Sequence, residues 1–184
     1  MLYFWKNENN LRSRSLLFLS FGMLLVFLFN GCEKDDICAE ATPTTPQLII
    51  RFYDVASPED LKSVTGLFAY ALEDDGSIVP IDGLAQNNTD SIAIPLRTDR
   101  TSTRFVLHKD FAIDNNGMLL GNPETITVNY TTDDVYVSRA CGYKTVFLDM
   151  LFGVSLDTDN WIINSDVVNN NVENQNAAHV QVFH

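Results

Sequence analysis

Hydrophobic and polar residues alternate with a period of two from Leu48 onward, the pattern of strands that bury one face. Leu48, Ile50 and Phe52 share one side of residues 48–53, and Ile92, Ile94 and Leu96 share one side of residues 91–96. Pro95 has no N–H to give a ladder, so the second strand is expected at a sheet edge or to end there. The same pattern predicts strands over residues 103–107, 125–130, 135–140, 144–148, 161–168 and 179–183. Asp74-Asp75-Gly76, Asp114-Asn115-Asn116-Gly117 and Asp133-Asp134 supply side chains that favour turns. A short helix is expected at residues 57–62, with Ser57 as N-cap, Pro58 at the first helical position and Asp60 in the first turn. The asparagine-rich residues 164–176 read as a polar loop or as a hairpin with asparagine outward; Val167, Val168 and Val172 favour the hairpin. Together these elements predict an all-β domain over residues 48–184, an immunoglobulin-like or related antiparallel β-sandwich of about seven to nine strands.

Ahead of that domain the pattern changes. Lys6, Arg12 and Arg14 precede an apolar run from Leu16 to Phe29. As a helix it would reach about 21 Å, short of the ~30 Å hydrocarbon core of a bilayer. A basic front and a short apolar core read as a signal peptide over residues 1–31 rather than a membrane span. The following Phe29-Asn30-Gly31-Cys32 resembles a lipobox, although Phe29 and Asn30 replace the usual Leu and small residue. That resemblance implies cleavage before Cys32 and acylation of its thiol. Glu33-Lys34-Asp35-Asp36 resembles the acidic export signal that sends Bacteroidota lipoproteins to the outer face of the outer membrane; the plainer reading is a solvated spacer. Residues 32–47 would then be the lipidated cysteine and a short acidic, Thr/Pro-containing tether.

Charge narrows the partners. The net charge is −12, and residues 1–31 hold three of the 12 bases but only one of the 24 acids, so the remainder is more acidic still. Such a surface repels nucleic acid, which is therefore not expected as a partner. Cysteine usage agrees with export. With Cys32 set aside for lipid, Cys38 and Cys141 remain and are expected to pair in an oxidising compartment. The bridge would shorten the free tether to residues 33–37, about 17 Å when extended. Arg139 and Lys144 could lower a thiol pKa at Cys141, but no Cys-x-x-Cys motif accompanies them, and a structural bridge is the expected role.

Candidate chemistry is sparse. His179 and His184 lie five apart on an expected strand, hence on opposite faces, and His108 stands in another strand, so no metal centre is expected. Asp157-Thr158-Asp159-Asn160 begins like a calcium loop, but Ile162 and Val168 replace the required Gly and Glu. There is no Gly-x-Ser-x-Gly elbow. Tyr53, Tyr70, Tyr136, Tyr143 and Trp161 could form a glycan platform or pack in the core. Asp90-Ser91-Ile92 resembles the short Bacteroidota O-glycosylation motif, with Ser91 as acceptor. No catalytic residue and no cofactor is expected.

Four stretches resemble a family of small flavobacterial (Bacteroidota) lipoproteins known only as a domain of unknown function: CEKDDICAEATPTTPQLIIRFYD, TDSIAIPLRTD, VNYTTDDVYVSRACGYKTVF and AHVQVFH. The resemblance implies a lipid anchor at Cys32 and a role for Cys38 and Cys141 in the fold, and no activity. The expected function is a non-enzymatic cell-envelope lipoprotein, a binding or assembly module at the outer membrane. Its partner would be an outer-membrane barrel or another envelope protein. The alternative is a cell-surface module for glycan or another extracellular ligand, and a third reading is an enzyme built on carboxylates or calcium.

Overall fold

A computed structural model describes residues 37–39, 42 and 44–184. The chain divides into two compact units, Met1–Ala39 and Glu40–His184, and the fold below is that of the second. Its described residues form eleven strands and no helix. They are β1 (Leu48–Asp54), β2 (Ser57–Leu61), β3 (Val64–Leu72), β4 (Ile78–Pro80), β5 (Asn87–Thr89) and β6 (Ser91–Ile94). The longer strands follow: β7 (Ser102–Ile113), β8 (Leu119–Ser138) and β9 (Gly142–Val154), then β10 (Asn164–Val167) and β11 (Val180–Phe183).

The strands form two sheets of a sandwich. In the first, β10-β11-β1-β2, β1 is central. It pairs in parallel with β11 on one edge, so β6 and β2 must share its other edge, end to end. The second sheet is β4-β3-β7-β8-β9, with β5 on β3. The alternation places Leu48, Ile50, Phe52, Ile92, Ile94, Val180 and Val182 of the first sheet against Leu67, Ala69, Phe105, Leu107, Ile126 and Val128 of the second. Each such side chain contributes roughly 1.5–3 kcal/mol on burial, which is why the period of two in the sequence becomes strand. A second cluster of Phe68, Tyr70, His108 and Phe111 sits on the opposite face of β3 and β7, with Phe68 stacked on Phe111 at 4.3 Å.

Three expectations are corrected. The fold has eleven strands rather than seven to nine, and one of its pairings, β1 with β11, is parallel. Residues 57–61 are a strand rather than a helix. All five are exposed, so a helix there would have no apolar face to bury, and one or two turns are unstable alone. The edge of β1 beyond β6 offers backbone partners instead, and Pro58 is tolerated on an outer strand. Asp133-Asp134 is not a turn. β8 runs through it for 20 residues because β9 stays in register beside it, and Asp134 accepts a hydrogen bond from the Thr145 hydroxyl at 2.8 Å.

Strand β6 stops before Pro95, as its sequence predicts. Its outer edge is closed against further pairing. The Thr89 hydroxyl donates to the Ser91 carbonyl at 2.8 Å and accepts from the Ser91 N–H, while Pro95 has no donor. At the far end of β7, a bulge puts Asp110 at φ 54°, and Gly121 of β8 sits opposite at φ 106°. A Cβ at Gly121 would lie 2.6 Å from the Lys109 carbonyl oxygen, so only glycine fits where the β7–β8 hairpin bends.

Candidate functional site

β8 organises the exposed features, because its two ends carry different side chains. At its start, the β7–β8 turn is built by Asp114, whose Oδ1 accepts from the N–H groups of Asn116 and Met118. Ile113 and Leu119 are cross-strand partners there, and Ala112 faces Leu120. Ile113 and Met118 are 61% and 64% exposed, and Leu119 and Leu120 are also exposed. Ile113 and Leu119 share one face of the hairpin end and Leu120 lies on the other, so exposed apolar side chains flank the tip on both sides.

The other end of β8 is the turn to β9 at residues 139–141. Tyr136 and Tyr143 are cross-strand partners there, with rings at 5.4 Å and 69°. They are 58% and 67% exposed. Lys144 donates from Nζ to the Glu173 carbonyl at 2.9 Å. Cys141 lies in the turn itself and is disulfide-bonded to Cys38.

A cleft opens between β6 and the β3–β5 edge of the second sheet. Two cavities of about 310 and 450 Å³ share Gln47, Ile81 and Asp82 in their walls. Glu73 and Arg97 stand in the larger one. Arg97 bonds Glu73 at 2.5 Å and Asp99 through Nε and Nη2, at 3.0 and 2.9 Å; Arg100 reaches Glu73 and Asp74. Arg104 donates to the Glu73 carbonyl. Hydrogen bonds to Asp99 and then Glu73 push the Arg97 pKa up, and Arg97 in turn lowers that of Asp99. These charges are already matched, so the network ties the β3–β4 turn to the β6–β7 connection.

The three histidines are buried. His108 Nε2 lies 3.2 Å from the Tyr70 hydroxyl. His179 Nδ1 accepts the Ile49 N–H at 3.0 Å, and His184 Nε2 donates to the Lys62 carbonyl at 3.2 Å. Among the described residues no group of three or more His, Cys, Asp or Glu converges as a metal site. Asp157 and Asp159 cap their own turn: Asp157 Oδ1 accepts from the Asp159 N–H at 3.0 Å. Trp161 and Tyr70 are buried, which leaves Tyr136 and Tyr143 as the exposed aromatic pair. Ser91 is partly buried in β6 beside the smaller cavity. Cys32, Glu33, Lys34, Asp35 and Asp36 lie outside the described residues.

Sequence reasoning missed Glu124. This carboxylate is 0% exposed, in the inward row that continues through Ile126, Val128 and Tyr130. Its Oε1 accepts from the Trp161 N–H at 2.6 Å and its Oε2 from Asn160 Nδ2 at 2.5 Å. Glu124 thus pins the loop that resembled a calcium site. Its position in the apolar parity of β8 was the available signal.

The model of the family described as "Family of unknown function (DUF6452)" matches residues 67–184. The chain belongs to that family. No curated protein matches it, and no solved structure does. The matched span of this DUF6452 member starts inside β3, so β1, the central strand of the first sheet, lies ahead of it. Cys141 falls inside the span and Cys38 outside.

The bridge closes a loop of about 100 residues, but its net contribution is reduced because the native chain is already held at Thr45, whose Oγ1 accepts from the Thr145 N–H at 3.1 Å. Only about seven residues then close natively. The difference in loop entropy is about 2 kcal/mol. Cys141→Ser should lower the unfolding free energy from urea melts by that amount and remove the effect of dithiothreitol. Equal dithiothreitol sensitivity in both proteins would contradict this.

Proposed function

We infer that this chain is a cell-envelope lipoprotein, anchored through Cys32, whose β-sandwich is a non-enzymatic binding or assembly module at the outer membrane. The observation that carries the binding role is the apolar β7–β8 tip of Ile113, Met118, Leu119 and Leu120, held at the end of β8 opposite the bridged Cys141. Twenty strand residues rise roughly 65 Å along the chain, so this tip and the bridged Cys141 lie at opposite ends of a long strand. Its occupant is an apolar patch on another envelope protein, a barrel protein being the leading candidate. The basic front, the short apolar run and the Cys32 context support the anchor, and the bridge suits an oxidising compartment.

A photo-crosslinking side chain at Met118 in whole cells tests this reading. The expected result is one discrete adduct with a membrane-fraction protein, lost on Ile113→Ser. Fractionation with soluble proteins, or no adduct from Met118, would sink it. The glycan-binding alternative draws on the exposed Tyr136–Tyr143 pair. It predicts oligosaccharide binding that Tyr143→Ala abolishes.

A further inference from the structure

We propose that the β8–β9 tip contacts the lipid–water interface of the membrane that holds the anchor, and so orients the domain on that membrane. The proposal rests on the lipid anchor at Cys32 inferred above. It starts from covalent connection: Cys141 in the β8–β9 turn is bonded to Cys38, and Cys38 follows Cys32 by six residues. Six extended residues reach at most about 20 Å, so the turn that carries Cys141 is tethered within about 20 Å of the acylated cysteine, close enough to reach the headgroup region.

The side chains at that turn match the place. Tyr136 and Tyr143 are well over half exposed, and Val135 on the opposite ribbon face is exposed as well. Tyrosine puts an apolar ring and a polar hydroxyl into the same boundary region, where it is enriched in membrane proteins. Residues 135–144 carry Arg139 and Lys144 and no acid, in a chain whose net charge is −12. Asp133 and Asp134 lie further along β8, away from the turn. β9 pairs with β8 as far as the turn, Tyr136 with Tyr143 and Ser138 with Gly142, so the tip is a preformed ribbon and not a loop to be ordered on contact.

The test uses the mature lipidated chain reconstituted in phosphatidylethanolamine/phosphatidylglycerol vesicles, with and without acyl-brominated lipid. Tyr143→Trp and Met118→Trp are compared, and the unsubstituted chain supplies the background emission. The expected result is loss of emission by bromolipid for Tyr143→Trp and none for Met118→Trp. Equal emission of Tyr143→Trp in both vesicles overturns the proposal, as does a Tyr143 environment that changes only with soluble glycan or protein. Intact mass of the chain and of Cys32→Ser separates the two readings. Acylation at Cys32 without quenching at position 143 rejects the tip contact alone. A chain that carries no acyl group at Cys32 rejects the anchor and this inference together.

Discussion

Acidification below about pH 6.5 should destabilise the domain, and three buried histidines set a ceiling of about 4 kcal/mol per pH unit on the slope. His108, His179 and His184 are 4%, 1% and 7% exposed, and burial lowers the pKa of each. The folded domain therefore keeps the rings neutral where the unfolded chain binds protons. Stability is present above the unfolded pKa of about 6.5 and is lost as pH falls through the lowered folded values, by about 1.4 kcal/mol per pH unit for each proton. His179 has the clearest geometry. Its Nδ1 is the acceptor for the Ile49 N–H, so a proton there removes the acceptor and breaks a bond between β1 and the start of β11. Asp54, Asp75, Asp99 and Asp114, whose pKa values are lowered, extend the loss into the carboxylate range. Urea melts between about pH 7 and pH 5 measure the slope, and His179→Asn should reduce it by about one third. A flat profile over that range would show that the folded domain accepts these protons.

Glu124→Ala is expected to cost about 3 kcal/mol, the range for emptying a buried site and stranding its donors. It leaves the buried Trp161 N–H without its acceptor and Asn160 Nδ2 with the Ser155 carbonyl alone. Glu124→Gln should recover only part of this, because one of its two polar atoms is a donor facing the Asn160 donor. Thermal melts give the magnitude, and proteolysis within residues 155–161 reports the loop. A loss below about 1 kcal/mol would mean that water replaces the carboxylate without penalty.

How far the sequence carried depended on how many residues a signal spans. β1, β6 and the middle of β8 announce themselves because alternation places three apolar side chains on one face (Leu48, Ile50, Phe52; Ile92, Ile94, Leu96; Ile126, Val128, Tyr130), and Pro95 ends β6 where its missing N–H requires. Strand β3 (Val64–Leu72) was not anticipated. Its run GLFAYAL is apolar on both faces, since Leu67 and Ala69 enter the core while Phe68 and Tyr70 join the second aromatic cluster, and the period of two disappears. Local signals also misled. Ser57-Pro58 and Asp133-Asp134 have the chemistry of a helix start and a turn, yet each lies beside a long strand whose unpaired backbone offered more hydrogen bonds than the local motif.

The candidate sites divide the same way. Covalent reasoning needs only composition and order, so the pairing of Cys38 with Cys141 was legible once Cys32 was set aside. The two tips of β8 were not. Nothing in the local sequence sets Ile113, Met118 and Leu120 apart, and only the bend at Gly121 and the end of β7 leave them exposed.

By itself, then, the sequence determined that the domain is β, which faces of several strands are apolar, and which two cysteines can bridge. These properties follow from near neighbours or from counting. Only the tertiary structure decided that β11 returns in parallel beside β1, that β8 is one strand with two unlike tips, and that Glu124 and three histidines are interior. The reason is physical. Whether a polar side chain is buried, or an apolar one exposed, depends on partners tens of residues away, and no local pattern records their distance.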